Sequence, residues 1–305
     1  MKKILNTKSH TKFIILLGVL YIFINTLFGT AFDTVTKYVN EINIEWYYYY
    51  GIGNGFGILI FILYLLTTKK FKTTLVLNNY TDYLIPVLRG IGFVPIPLIV
   101  FYSLERLDIS IFTTILMTTP FFLYFWSIII QKEKFKFSNI FLIFIGFCGV
   151  VIIVQPIFNT FTITIFVCFI VPLFNSLASI VVSKYSRAAP SDTYVLFFMS
   201  PLAIISLIIC LLNPISLSMY SLFIICLGGT FLILAVLFFT LAFHIAGNYS
   251  RYISPFLYLQ ILWALLSGYF FFGETINILK IIGIGLVVFS GSLVLISINS
   301  AANKN

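Results

Sequence analysis

The chain has 305 residues and a formal net charge of +9, with 61% apolar and only 9% charged residues. Soluble domains carry about 25% charge, and about ten separate apolar runs here reach or approach the length that crosses a bilayer. That excludes a water-soluble enzyme or binding domain. The basic excess carries no nucleic-acid motif, so nucleic acid is not expected as a partner.

Residues 1–12 are short and basic, with Lys2, Lys3, Lys8 and Lys12. The run that follows is longer than a signal-peptide core and is the first of many, so a retained helix is expected. Crossings are expected over residues 13–38, 46–66, 83–104, 109–130, 139–157, 161–182, 194–212, 222–246, 252–272 and 278–298. The loops between them are short and leave no room for a soluble domain. Cys148, Cys168, Cys210 and Cys226 all fall inside these runs with no CxxC pair. They read as small core residues, and no metal or other cofactor is expected.

With residues 1–12 on the cytoplasmic side, the inner loops and tails hold 14 of the 18 basic residues. The outer loops hold Glu41, Glu45, Glu105, Asp108 and Glu274. This asymmetry predicts that both tails, 1–12 and 299–305, face the cytoplasm.

The chain also echoes itself. Pro120-Phe121 precedes Lys132-Glu133 and then Gly146 and Gly149; the run from Ser254 ends at Gly273-Glu274 and is followed by Gly283, Gly285 and Gly291. Thr36-Lys37-Tyr38 returns as Ser183-Lys184-Tyr185. Residues 13–157 and 161–298 are therefore expected to be two related halves of five crossings each. Five is odd, so the halves have opposite orientation, as in carriers that bind cargo near the midplane between repeats.

Several polar residues stand inside the apolar runs. Asp33 and Lys37 are four residues apart on the first helix and can share a face. They read either as a self-neutralising pair near the outer interface or as functional groups; Asp33 aligns with Ile180 in the repeat, so the fold does not demand a carboxylate there. Arg89 lies toward the cytoplasmic end of its run and is expected to snorkel, with anion binding as the second reading. Pro95 and Pro97 predict a kink in the same helix. Asn25, Asn54, Asn175 and Gln260 are amides in mid-run, which either bond a neighbouring helix or face a cargo. Gln260, with Tyr258 and Trp263 nearby, is the foremost binding candidate. Trp46 and Tyr47 to Tyr50 read as an interfacial aromatic belt, and Gly51, Gly53, Gly55 and Gly57 as a surface for close helix approach.

Ser254-Pro255-Phe256-Leu257-Tyr258-Leu259-Gln260-Ile261-Leu262-Trp263, leading to Phe272-Gly273-Glu274, resembles the ninth-helix signature of EamA-type carriers of the drug/metabolite transporter superfamily. Arg89-Gly90, Phe101-Tyr102, Asp108, Thr114, Pro120-Phe121 and Lys132-Glu133 follow the order of that family's third and fourth helices. The resemblance implies an all-α integral membrane protein of ten helices in a 5+5 inverted repeat, in a bacterial inner membrane. It implies transport of a small organic metabolite, an amino acid or related compound, driven by protons or by an exchanged metabolite. A monomer or a homodimer embedded in the lipid bilayer is expected. The Tyr258-Leu259-Gln260 region is most similar to the branch containing S-adenosylmethionine uptake carriers, which have an acid at the position of Gln260 and a base at that of Leu257.

Two other classes compete. A membrane-embedded enzyme acting on a lipid or isoprenoid needs clustered acids, histidines or metal ligands, whereas the nine acids here are mostly in loops and the two histidines far apart. A channel needs a charged ring or filter repeat, and none is visible. There is no GxxxxGK[ST] loop, which argues against ATP hydrolysis by this chain.

Overall fold

The computed structural model describes residues 2–77, 79–106, 112, 115–132, 135–154, 163–272 and 277–304. The expected loop acids Asp108, Glu133 and Glu274, together with Thr114 and Gly273, lie outside these residues. All regular structure among the described residues is helical.

We number the helices α1 (Lys2–Glu41), α2 (Trp46–Thr67), α3 (Phe71–Leu75), α4 (Tyr80–Phe93), α5 (Pro95–Arg106), α6 (Thr119–Ile130), α7 (Phe137–Val154), α8 (Ile163–Cys168), α9 (Ile170–Lys184), α10 (Ser191–Leu212), α11 (Met219–Ala246), α12 (Ser250–Ile253), α13 (Leu259–Phe272) and α14 (Ile278–Lys304). Among the described residues, seven helical segments are long and apolar enough to cross a bilayer, the longest being Lys12–Glu41 with 30 residues. Thr119–Ile130, Phe137–Ile152 and Ile278–Ser290 are shorter apolar helices. These are the helices of a multi-pass membrane protein.

Local sequence explains the interruptions. The third expected crossing is divided at Val94, just before Pro95, whose missing N–H opens the helical ladder there. Pro255 begins a 3-10 turn, Ser254–Tyr258, before α13 takes up α-helical geometry. α11 stops at Gly247, where φ is 49°, a conformation that glycine adopts without steric cost.

Packing places α2 between α10 and α11. Gly51 lies against the Ser206–Leu207 backbone of α10, and Gly53 and Gly57 against the Ile225 and Gly229 carbonyls of α11. Gly55 makes only an ordinary contact with the Leu207 side chain. The close approach leaves no room for side chains on that face of α2.

The aromatic belt reading of the same helix is corrected. Tyr48, Tyr49 and Tyr50 are buried, at 3%, 2% and 1% exposure, and belong to a core cluster with Phe32, Leu202 and Ile225. Each hydroxyl finds an internal acceptor or partner. Tyr48 donates to the Asn213 carbonyl. Tyr49 shares a 2.9 Å hydrogen bond with Thr36, and Tyr50 donates to the Pro97 carbonyl at 3.1 Å. Gly228 makes the space that the Tyr49 ring fills. A tyrosine whose hydroxyl is satisfied internally gains from burying its ring, and that outweighs a place at the interface.

Candidate functional site

A cavity of about 230 Å³ lies among α1, α2, α4, α5, α6, α9, α10, α11 and the 3-10 turn with the first residues of α13. Its wall is mostly aromatic and aliphatic, with Phe32, Phe93, Phe198, Phe239 and Leu257 contributing. The polar lining is Asn25, Asp33, Tyr50, Asn54, Arg89, Thr119, Asn175 and Gln260. Asp33 and Arg89 are its acid and its base. Few polar groups set in an apolar wall is the composition of a small-molecule site.

The acidic end is built by α1 and α13. Gln260 Nε2 donates to Asp33 Oδ2 at 2.9 Å. A seam of hydroxyls holds the two helices in register. Thr26, Thr30 and Thr34 repeat every four residues, so they form one stripe along α1. Trp263 Nε1 donates to Thr26 Oγ1 at 3.2 Å, Thr30 Oγ1 to the Gln260 carbonyl at 3.3 Å, and Thr34 and Ser267 share a 2.8 Å bond. The stripe fixes the height and rotation of α13 at Gln260, so its amide meets Asp33 and not lipid.

The basic end is built by α4 and α10. Arg89 is 8% exposed and lines the cavity. Its Nη1 donates to the Tyr194 carbonyl at 3.1 Å, and its guanidinium carbon lies 4.4 Å from the centre of the Phe198 ring. The expectation that Arg89 snorkels is thus overturned. Gly90, beside it, abuts the Phe197 carbonyl of α10, so α4 packs tightly against α10 and the arginine stem turns into the protein.

Six of the nine residues singled out from sequence line the cavity: Asn25, Asp33, Asn54, Arg89, Asn175 and Gln260. Asn25 also donates to the Ala235 carbonyl at 2.9 Å, tying α1 to α11. Three residues lie elsewhere. Tyr258 is 1% exposed, its hydroxyl donates to the Ile143 carbonyl at 3.0 Å, and its ring fills the notch left by Gly146. Residues two apart on a helix are about 200° apart, so Tyr258 and Gln260 face different neighbours. Trp263 turns to Thr26 and packs edge-on against Phe23. Lys37, one turn beyond Asp33, is not among the described lining residues.

Tyr50 was read from sequence as part of an aromatic belt and not as a site residue, yet it lines the cavity beside Asn54. They stand four apart on α2, hence on one face, and that pairing was the available signal.

Comparison with known proteins bears on what such a cavity serves. Residues 16–155 match the EamA-like transporter family. The match spans Asn25, Asp33, Tyr50, Asn54 and Arg89 of the cavity; Asn175 and Gln260 lie beyond it. An uncharacterized transporter of Helicobacter pylori is 25% identical over 205 residues, covering 64% of this chain and 67% of the relative. A solved crystal structure, described only as that of a protein, superimposes with a TM-score of 0.71 at 13% identity, over 96% of this chain and 99% of the other. That likeness concerns the fold alone.

Proposed function

We propose that this chain is an EamA-type secondary transporter, carrying a small organic metabolite of the amino-acid class through the cavity by alternating access. The observation that carries this reading is the cavity itself: an acid held by an amide and a buried base, both set within membrane-length helices. Intramembrane charges are expensive and are retained where cargo or ions pass. The volume of about 230 Å³ lies below the roughly 300–1,000 Å³ of drug-sized sites. It favours a cargo of amino-acid size over one as large as S-adenosylmethionine, and the comparisons give no support to that branch.

The reading includes ten crossings in two inverted halves. Among the described residues, seven membrane-length segments support it, and three shorter apolar helices are compatible with the remaining crossings. Helix contacts support the symmetry. If crossing n in one half matches crossing n+5 in the other, each contact should have a counterpart. The second crossing (α2) packs on the seventh (α10), and the fifth (α7) on the tenth (α14). The first packs on the ninth (α1 on α13) as the sixth does on the fourth (α9 on α6). The second packs on the eighth (α2 on α11) as the seventh does on the third (α10 on α4).

The transport test uses purified protein in liposomes preloaded with an unlabelled amino-acid mixture. Labelled amino acids outside should enter by saturable counterflow. Flux linear in concentration would indicate a channel, and flux no greater than in empty vesicles would end the reading.

The orientation is tested separately. Alkaline phosphatase fused after Lys304 should be inactive, because the charge bias of the loops favours a cytoplasmic position for that end. Strong periplasmic phosphatase activity would reverse the topology.

A further inference from the structure

Arg89 poses a physical problem that its protein neighbours do not solve. It lies nine residues into α4 from Tyr80, roughly 14 Å along the helix. Its side chain is directed into the protein, 8% exposed, and not out to the surface. Among the described residues the ion pairs are Lys70 with Asp192 and Arg106 with Glu105; no carboxylate pairs with Arg89. A guanidinium has five N–H donors. Nη1 is used on the Tyr194 carbonyl, and Nε is buried with no hydrogen-bond partner among the described residues. The Tyr194 carbonyl lies within the α10 helix, whose own ladder can satisfy it. Phe198 offers its ring face, which steadies a cation but does not neutralise it.

A charge taken out of water needs a counter-charge and filled donors, or it destabilises the fold. For Arg89 the open side is the cavity that it lines. An anion there would supply the counter-charge, and a carboxylate suits the planar guanidinium, which can give it two parallel bonds. The other charged group of the lining, Asp33, is held by a different helix pair through Gln260.

We infer that Arg89 is the anion-binding pole of the cavity, and that the cargo is a dipolar molecule whose carboxylate meets Arg89 while its cationic or donor end meets Asp33. The inference rests on the transporter reading for the word cargo, but not for the binding chemistry. It makes Arg89 a specificity-determining residue. Molecules that carry only one of the two charges should be rejected, because they leave the opposite pole buried and unpaired.

The experiment measures binding to the purified full chain, by titration and by ligand-induced thermal shift. The probes are L-amino acids, their primary amides, which lack the carboxylate, and the corresponding deaminated acids. Wild type should bind at least one amino acid more tightly than its amide and its deaminated acid. Arg89→Gln should weaken the amino acid and the deaminated acid roughly 10- to 150-fold, while the amide binds no more weakly than to wild type. Arg89→Lys should fall between, since it keeps the charge and loses the fork.

The ligand-free melting temperature separates binding from structure. Removing an uncompensated buried charge should leave Arg89→Gln as stable as wild type or more so. An arginine that only ties α4 to α10 predicts a lower melting temperature and equal losses for acid and amide, and that result would overturn the inference. So would equal binding of amino acid and amide by wild type, or no binding by any carboxylate in the panel. Carboxylate-dependent binding without counterflow would remove the transporter reading and leave the anionic pole. Counterflow of a cargo indifferent to its carboxylate would do the reverse.

Discussion

Asp33→Asn should leave a folded protein in the membrane and reduce transport about a hundredfold. The substitution keeps the shape of the side chain. It also keeps an oxygen that can accept from Gln260 Nε2, now 2.9 Å from the carboxylate. What it removes is the negative charge in the cavity lining. A hydrogen bond to a charged group is worth about 1.5–3 kcal/mol, so its loss weakens a cationic end by roughly 10- to 150-fold. Asp33→Ala should be worse, because it also strands the Gln260 amide in a buried place. The measurement is initial counterflow rate per unit of monodisperse protein, with the melting temperature as the control for folding. Normal flux in Asp33→Asn would leave the carboxylate a structural role only. The variant also tests coupling: if Asp33 carries a driving proton, exchange survives while accumulation against a gradient is lost.

The sequence made the polar residues of this cavity visible because their surroundings are so apolar. Asn25, Asp33, Arg89, Asn175 and Gln260 stand out in runs that carry little else. It did not reveal which way each helix is turned. A helix that is apolar all round has no polar face to set its rotation, so Tyr258 read as a neighbour of Gln260 although it packs against α7. The same blindness hid Tyr50, whose place is set by Gly53 and Gly57 drawing α2 onto α11. The direction of the Arg89 side chain was also hidden. The snorkelling argument considers one helix in lipid, whereas the side chain is directed by Gly90 packing against α10. The interruption at Pro95 was legible, since a proline there was expected to kink the helix; the 3-10 turn at Pro255 was not read from the sequence, which expected one crossing over 252–272.

Gly229→Ala should be among the most damaging single-methyl additions in this protein. A Cβ at Gly229 would overlap the Gly53 carbonyl and Cα of α2, and these are backbone atoms that cannot swing aside. The contact is reciprocal: a Cβ at Gly57 would sit 2.7 Å from the Gly229 carbonyl, and one at Gly53 would sit 2.9 Å from the Ile225 carbonyl. Relief requires α2 and α11 to separate along their crossing. That motion pulls Tyr50 and Asn54 from the cavity wall and loosens α2 against α10. Overpacking typically costs about 1–3 kcal/mol, and a clash between backbones belongs at or above the upper end. The control is Gly92→Ala in α4, where a Cβ meets nothing within 4 Å. That change should be neutral or stabilising by up to about 1 kcal/mol, from helix propensity alone. Thermal unfolding in detergent should therefore separate the two variants, with Gly229→Ala melting well below wild type and Gly92→Ala at or above it. Equal melting temperatures for the two variants would mean that α2 and α11 do not touch at this glycine pair. The cavity geometry that depends on their contact would then have to be redrawn.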